Sequence, residues 1–286
     1  MKRKRVFALV ILVSALVFVL PVSAITGGEP DDGEHPYVGM LVFYNEGGSW
    51  LWACSGSLLS DRLILTAGHC VSPDADGRVA ASVRVYFDEI VAYDPNSQTF
   101  PNDGYYMGTF FPHPNWDWTL PFPETYDIGV VILDEPVVGI TEFAQLPELH
   151  FLDQIANGDK RDVILTTVGY GRNDAKPVPL WYTSRYMAQS FLVSLDNWIT
   201  DGWAIQTSSN PGEWDGSEEF VTGGPCSGDS GGATLFGGPE SNLIVGVINA
   251  ANMPGGIGKG ISWRVDIPTS LDFINGVIAE YGLELP

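Results

Sequence analysis

The chain has 286 residues, of which 35 are Asp or Glu and only 14 are Lys or Arg, giving a net charge of −21 at pH 7. A chain with this excess of negative charge repels nucleic acids and anionic membranes, so neither is expected as a partner. Its length fits one large domain or two, and its 33 Gly and 20 Pro indicate many turns.

The first 24 residues have the pattern of a secretory signal peptide. Residues 2–5 are all basic, residues 6–20 are apolar apart from one serine, and residues 21–24 end in small side chains. The apolar run is shorter than the ~20 residues that span a bilayer, so an uncleaved signal anchor is the weaker interpretation. We expect a secreted protein with no membrane contact after cleavage behind Ala24. Cleavage would leave 10 basic residues (14 less the four at positions 2–5) against 35 acidic ones, a net charge of −25, which we interpret as a solubility feature.

Short apolar, β-branched runs recur along the rest of the chain between turn residues, a spacing that predicts an all-β barrel or sandwich. They are residues 38–44, 82–87, 128–133, 163–168, 243–248 and 260–265. Residues 268–281 repeat apolar side chains at helical spacing, with Thr269 and Asp272 placed as a capping box and Gly282 as the stop. Residues 88–125 and 207–223 are long, aromatic and acidic, and are predicted to be loops around a cleft.

Ser230 lies in the run GDSGG at residues 228–232, whose glycines let the backbone approach a substrate and direct N–H groups towards it. This run also fits the Gly-x-Ser-x-Gly motif of α/β-hydrolases, in which the catalytic histidine follows the serine. All four histidines of this chain precede Ser230: His35, His69, His113 and His150. An α/β-hydrolase is therefore excluded, and two orders remain, His–Asp–Ser and Asp–His–Ser.

A serine nucleophile needs a general base, and the base needs an acid that orients it. His69 follows an apolar run at a glycine-marked turn, and Asp127 stands at the start of the apolar run 128–133. A carboxylate shielded from water there can hold an imidazole in one tautomer and stabilise its protonated form. His113 is interpreted as a loop residue, and His35 and His150 as surface or packing residues.

Residues 66–70 (TAGHC), 127–129 (DIG) and 228–232 (GDSGG) resemble the three signature segments of the trypsin/chymotrypsin-like serine proteases, in the family's order. The resemblance extends over essentially all of the chain after residue 24. It implies two packed six-stranded antiparallel β-barrels and a C-terminal α-helix. Residues 25–140 would form the first barrel and residues 141–286 the second barrel with the helix.

The resemblance also implies a catalytic triad of His69, Asp127 and Ser230, with the N–H groups of Gly228 and Ser230 as the oxyanion hole. We expect a monomeric serine endopeptidase that acts on polypeptides and needs no cofactor. There is no H-E-x-x-H motif and no paired C-x-x-C motif for a metal site, and the acidic turn 74–77 is more simply a solvated turn than a calcium loop. Two alternatives stay open: a catalytically silent binding module, and a secreted esterase with the same triad.

Three cysteines in a secreted chain predict one disulfide and one remaining thiol. The resemblance pairs Cys54 with Cys70, beside His69, and such a bridge contributes about 2–4 kcal/mol to stability. Cys226 resembles a family cysteine whose usual partner lies further along the chain, but no cysteine follows it here. We therefore interpret Cys226 as a small buried apolar residue.

Residues 25–28 (ITGG) resemble the new N-terminus that activates the family's proteases. By that resemblance, the α-ammonium of Ile25 pairs with Asp229 and thereby forms the oxyanion hole. Because no further segment separates the predicted signal peptide from Ile25, we predict that signal cleavage itself creates the active N-terminus.

Specificity follows from the positions that the resemblance assigns to the primary pocket. Its base is Gly224, followed by Pro225 and Cys226, where a Lys- or Arg-specific enzyme carries Asp. Its wall is residues 249–251, with Asn249, Ala250 and Ala251 in place of Ser-Trp-Gly. We expect an uncharged, small-to-medium apolar residue before the scissile bond. Nearby, Trp116, Trp118 and Phe122 are more simply explained by loop packing than by neighbouring subsites.

Overall fold

The computed structural model describes residues 25–155, 163–172, 183–210, 222–251 and 258–286. The predicted signal peptide and most of the predicted loop 207–223 lie outside the described residues. Within the described part of the chain, no helix is long and apolar enough to cross a membrane.

The chain enters the fold through a short strand, β1 (Glu29–Pro30), which pairs with the second of two barrels. The first barrel is closed by six antiparallel strands in the order β2-β3-β4-β7-β6-β5. These strands are β2 (Val38–Tyr44), β3 (Trp50–Leu58), β4 (Leu63–Thr66), β5 (Ser82–Tyr86), β6 (Tyr105–Pro112) and β7 (Gly129–Leu133). Every residue of β2, β4 and β7 is buried, which explains why these strands are almost continuously apolar.

The second barrel closes because β8 pairs with both β9 and β11, giving the order β8-β9-β10-β13-β12-β11. A short helix, α1 (Phe151–Ile155), precedes it, and α2 (Pro268–Tyr281) follows it. Its strands are β8 (Ile164–Gly169), β9 (Tyr186–Ser194), β10 (Ala204–Ser209), β11 (Ala233–Phe236), β12 (Ile244–Ala251) and β13 (Gly258–Arg264). The predicted class, two six-stranded antiparallel barrels with a C-terminal helix, is confirmed.

A buried ionic cluster ties the N-terminal segment to both barrels. The carboxylate of Asp31 accepts hydrogen bonds from Arg185 Nε at 2.7 Å and from the ring of His35 at 2.5 Å. Arg185 precedes β9 of the second barrel, and its Nη1 donates to the carbonyls of Val38 and Phe87 in the first. Burial opposes ionisation of Asp31, but the bond from His35 and the charge of Arg185 outweigh it and lower the pKa of Asp31. The pairing keeps each buried charge compensated.

The structure corrects three predictions. The predicted loop 207–223 does not begin at residue 207, because β10 continues to Ser209. The segment 88–125 is not a loop throughout, because β6 (Tyr105–Pro112) lies inside it; this strand is only partly buried and mixes polar with aromatic residues, so it lacks the apolar pattern of its neighbours. The capping box of α2 is also wrong. The helix begins earlier, with Ile267 as the N-cap and Pro268 in the first turn, and Ile267 has no side-chain group that could cap it. Thr269 therefore lies inside the helix, where its Oγ1 contacts His113 Nε2 at 3.1 Å. Gly282 ends α2 in the left-handed conformation, as predicted.

Candidate active site

His69 and Asp127 are brought together by the pairing of β4 with β7. In this register Thr66 lies opposite Gly129. The segment after β4, which carries His69, therefore faces the segment before β7, which carries Asp127. A 3-10 helix at Gly68–Cys70 turns His69 towards Asp127. The close approach favours glycine at position 68, where an added Cβ would make a tight contact of 3.2 Å with Asp127 Oδ1.

Asp127 binds His69 with both carboxylate oxygens. Oδ2 lies 2.8 Å from His69 Nδ1, and Oδ1 accepts the backbone N–H of His69 at 2.7 Å. Because an ionised carboxylate only accepts, Nδ1 of His69 carries the proton and Nε2 is left as an acceptor. Asp127 is 2% exposed and His69 19% exposed, so the carboxylate is shielded while the ring edge reaches the cleft.

The charge of Asp127 also controls the basicity of His69. Burial lowers the pKa of the imidazole, but the charge of Asp127 and its hydrogen bond act in the opposite direction and prevail, so the pKa of His69 is raised. A raised pKa makes His69 a stronger base than an ordinary histidine, which suits the removal of a proton from a hydroxyl group.

A disulfide fixes the turn that carries His69. Cys54 on β3 and Cys70 are joined with an S–S distance of 2.00 Å and a Cα–Cα distance of 6.2 Å. The bridge therefore ties the residue after His69 to the neighbouring strand. Cys226 lies outside this bridge and is 7% exposed, which agrees with its interpretation as a buried residue.

Ser230 reaches this site from the second barrel. Its carbonyl oxygen accepts a hydrogen bond from Ser55 N at 2.8 Å and lies 3.6 Å from Cys70 Sγ, which places the serine turn beside His69. Among the described residues no hydrogen bond joins Ser230 Oγ to His69 Nε2. In enzymes without substrate such bonds are often long and tighten in the substrate complex.

The backbone at Ser230 offers two unused donors. The amides of Asp229, Gly231 and Gly232 donate to carbonyl groups of the protein, whereas those of Gly228 and Ser230 make no hydrogen bond to any described residue. These two amides are the ones that the sequence assigns to the oxyanion hole.

The orientation of the Gly228 amide is set by its neighbours. Ser227 O accepts a hydrogen bond from Arg172 N at 2.7 Å, and a planar trans peptide directs the Gly228 N–H to the opposite side. Gly228 has a φ of +99° and its added Cβ would lie 2.9 Å from Gly171 Cα, so glycine is required there.

Asp229 is fully buried, and its carboxylate accepts only two backbone N–H groups among the described residues. Gly171 N donates to Oδ1 at 2.7 Å and Cys226 N to Oδ2 at 2.8 Å. Burial without a nearby cation raises the pKa of Asp229 to about 7.

Ile25 lies in the second barrel, but among the described residues it forms no ion pair with Asp229. Its side chain is fully buried with Tyr186 and Ala188, and the next residue, Thr26, exchanges two backbone hydrogen bonds with Gly224. In the full-length chain the nitrogen of Ile25 is a peptide nitrogen without charge, so the predicted pair with Asp229 requires cleavage behind Ala24.

The predicted primary pocket is only partly described. Gly224 and Pro225 are buried, and an added Cβ on Gly260 of β13 would lie 3.0 Å from Pro225 Cδ, so β13 packs on this segment. The side chain of Ala251 and residues 252–257, which continue the predicted wall, lie outside the described residues.

A cleft of ≈ 370 Å³ lies on one side of His69. It is lined by Asn249 and Ala250 of β12 and by a loop that carries Trp116, Trp118 and Phe122. The indoles of Trp116 and Trp118 donate to Ser72 Oγ and Pro73 O, each at 2.8 Å, with ring centres 6.3 and 6.0 Å from that of His69. The two tryptophans therefore pack on each other and on the segment that follows His69, and they also form a wall of the cleft.

A second cavity, of ≈ 230 Å³, lies against Ser227 and Gly228 of the serine turn and was not predicted from the sequence. It touches Gly228 and has mostly apolar walls, among them Met40, Trp50, Tyr93 and Phe100. No motif marks it, because its lining comes from three strands or loops of the first barrel and from the segments around Tyr170 and Ser227 in the second. The clustered aromatics between residues 93 and 105 were the available signal.

Comparisons with known proteins agree with this architecture. Residues 24–274 match the family model described as Trypsin. A collagenase of Hypoderma lineatum is 26% identical over 229 residues, which make up 79% of this chain and 75% of that protein. CLIP domain-containing serine protease B15 of Anopheles gambiae is 31% identical over 98 residues, 32% of this chain and 26% of that protein. Among solved structures, HL collagenase at 1.7 Å resolution has a TM-score of 0.61 and 20% identity, covering 94% of this chain and 100% of its own, which supports the fold.

Replacing Asp127 by Asn tests the electrostatics of this pair. The substitution removes the charge that opposes the effect of burial, so we expect the pKa of His69 to fall below its ordinary value. The measurement is a histidine NMR titration of both proteins. Asp153→Asn, which removes a half-exposed carboxylate bound to His150 at 3.0 Å, serves as the control and should leave the pKa of His69 unchanged. An unchanged pKa of His69 would contradict the role given to Asp127.

Proposed function

The chain belongs to the trypsin family, and we propose that it is a secreted serine endopeptidase that cleaves peptide bonds through a covalent acyl-enzyme. The observation that carries the proposal is that both carboxylate oxygens of Asp127 bind His69, next to a serine turn where the amides of Gly228 and Ser230 have no hydrogen-bond partner among the described residues. The disulfide between Cys54 and Cys70 supports an oxidising, extracellular location.

In the proposed reaction Ser230 Oγ attacks the carbonyl carbon of the substrate while His69 Nε2 takes the hydroxyl proton. The new oxyanion accepts hydrogen bonds from the N–H groups of Gly228 and Ser230, each worth on the order of 10²–10³ in rate. Protonated His69 then donates its proton to the leaving amine. Water, activated by the same histidine, hydrolyses the ester and restores Ser230. Asp127 stays ionised throughout and stabilises the imidazolium.

Activation in this proposal depends on Asp229. A fully buried carboxylate with a raised pKa is electrostatically costly until a cation reaches it. Cleavage behind Ala24 would turn the nitrogen of Ile25 into an ammonium group within the second barrel, where the side chain of Ile25 is already buried. Their pairing would favour the ionised form of Asp229 and hold the turn that carries Gly228 and Ser230.

Substrate selection is proposed to act on both sides of the scissile bond. Before it, Gly224 offers no carboxylate for a basic side chain, which favours an uncharged, small-to-medium apolar residue. After it, the apolar cavity of ≈ 230 Å³ beside Gly228 fits a large apolar side chain of the leaving segment.

Ser230→Ala tests the reaction itself. Loss of the nucleophile should reduce kcat by roughly 10⁶-fold and abolish labelling by a fluorophosphonate probe. Ser57→Ala is the control. The hydroxyl of this buried serine has no hydrogen-bond partner among the described residues, so removing it should leave turnover unchanged.

Three results would contradict the proposal. Full activity of Ser230→Ala would exclude Ser230 as the nucleophile. A folded wild-type protein that neither cleaves substrates nor reacts with the probe would be a catalytically silent binding module. Hydrolysis of esters without hydrolysis of peptides would identify an esterase.

N-terminal sequencing of the secreted protein tests the activation step. We expect Ile25 as the first residue of active material, and acetylation of its α-amine should reduce activity because the charge that pairs with Asp229 is lost. Active protein that starts at any other residue would refute this step.

A library of internally quenched peptides tests the specificity. We expect cleavage after uncharged, small-to-medium apolar residues and before large apolar ones. Because Trp50 forms one wall of the cavity, Trp50→Ala should lower kcat/KM about 10-fold for substrates with a large apolar residue after the scissile bond. Trp198→Ala, at a side chain that is 87% exposed, is the control. A clear preference for Arg before the scissile bond would contradict the assignment of Gly224.

A further inference from the structure

Ser55 lies on β3 at the contact between the two barrels and is fully buried. Each of its polar groups is engaged. Its N–H donates to Ser230 O at 2.8 Å, and its carbonyl accepts from Thr66 Oγ1 at 2.8 Å. Its hydroxyl donates to Gly228 O at 3.1 Å and accepts from Tyr170 N at 2.9 Å. One residue of the first barrel therefore binds the carbonyls of both residues whose amides form the proposed oxyanion hole.

The hydroxyl of Ser55 holds a peptide plane that has little other support. In the peptide between Gly228 and Asp229, the N–H of Asp229 donates to Cys226 O at 3.1 Å, and the carbonyl of Gly228 is held by Ser55 Oγ. Gly228 is a glycine at a φ of +99°, so its own conformational preferences do not hold this geometry. Loss of the hydroxyl would leave the plane anchored at one end.

The same hydroxyl also holds the facing segment. Tyr170 N donates to Ser55 Oγ, and the two residues that follow donate to the serine turn: Gly171 N to Asp229 Oδ1 at 2.7 Å, and Arg172 N to Ser227 O at 2.7 Å. The bond from Arg172 is the one that sets the direction of the Gly228 N–H. Without the hydroxyl, Gly228 O and Tyr170 N both lose a buried partner, which is unfavourable for each group.

From these contacts we propose that Ser55 is a positioning residue: its hydroxyl holds the Gly228 carbonyl and the segment after Tyr170, and through them keeps the Gly228 N–H directed at the oxyanion. The inference rests on the proposed protease function and deepens it. Ser55 touches no reacting atom and acts through the Gly228 and Tyr170 backbone. Because the oxyanion forms only after attack, the hydroxyl stabilises the transition state and not the bound substrate.

Ser57 provides a matched control in the same strand. It lies two residues further along β3, on the same face of the strand, and is also fully buried. Its hydroxyl, however, has no hydrogen-bond partner among the described residues. Ser57→Ala therefore removes the same atom from a comparable environment without breaking the network around Gly228.

The experiment compares wild type, Ser55→Ala and Ser57→Ala, with enzyme concentrations set by fluorophosphonate titration so that only folded molecules are counted. For Ser55→Ala we expect kcat to fall roughly 10- to 100-fold with KM within about twofold of wild type. The affinity for a peptide aldehyde, which forms an oxyanion-like adduct with Ser230, should fall in parallel, while that for a non-covalent product peptide stays constant. Ser57→Ala should match wild type in kcat, in KM and in both affinities.

The inference is overturned if Ser55→Ala has the kcat of Ser57→Ala, or if the loss appears in KM while the aldehyde affinity is unchanged. Should Ser55→Ala not accumulate as folded protein, Ser55→Gly removes the same hydroxyl and is judged by the same criteria. An inactive wild-type protein would overturn the proposed function and this inference together. An active wild type with equal Ser55 and Ser57 variants would overturn this inference alone.

Discussion

The hydrogen bond from Ser55 N to Ser230 O joins the two barrels at the point where the candidate site is assembled. His69 and Asp127 belong to the first barrel and Ser230 to the second, so neither barrel contains the site by itself. The contact is reinforced by Arg185, which bonds the carbonyls of Val38 and Phe87 across the same boundary. The relative placement of Asp127, His69 and Ser230 therefore depends on how the two barrels pack.

Two fully buried aspartates show how this chain manages charge. Asp31 is bound by Arg185 and His35, which keep its pKa below the ordinary value. Asp229 is held by two backbone amides and no described cation, and its pKa rises to about 7. The two shifts have opposite signs because burial is opposed by a neighbouring charge in one case and not in the other. Asp31 thus belongs to a completed structural cluster, whereas Asp229 has no cation beside it among the described residues and is suited to receive one.

Predictions from the sequence were accurate where the burial of an element is visible in the run of residues that forms it. The runs at residues 38–44 and 128–133 correspond to β2 and β7, since strands buried on both faces require continuous apolar sequence. It was wrong for the capping box at Thr269, because the helix already starts at Pro268 behind the N-cap Ile267, so Thr269 lies inside the first turn. It also missed β6, because the residues of this strand are only partly buried and do not form a continuous apolar run.

The sequence by itself determined the kind of fold and named His69, Asp127 and Ser230, because short motifs specify residue types that chemistry requires near one another. It did not reveal the apolar cavity beside Gly228 or the position of Ser55, because both are made of residues far apart in the chain, such as Ser55 and Tyr170, that touch only when the barrels pack. Only the tertiary structure decided that, within the described part of the chain, the amides of Gly228 and Ser230 make no hydrogen bond and Asp229 has no cation beside it. These properties are fixed by distances between segments, which no local pattern encodes.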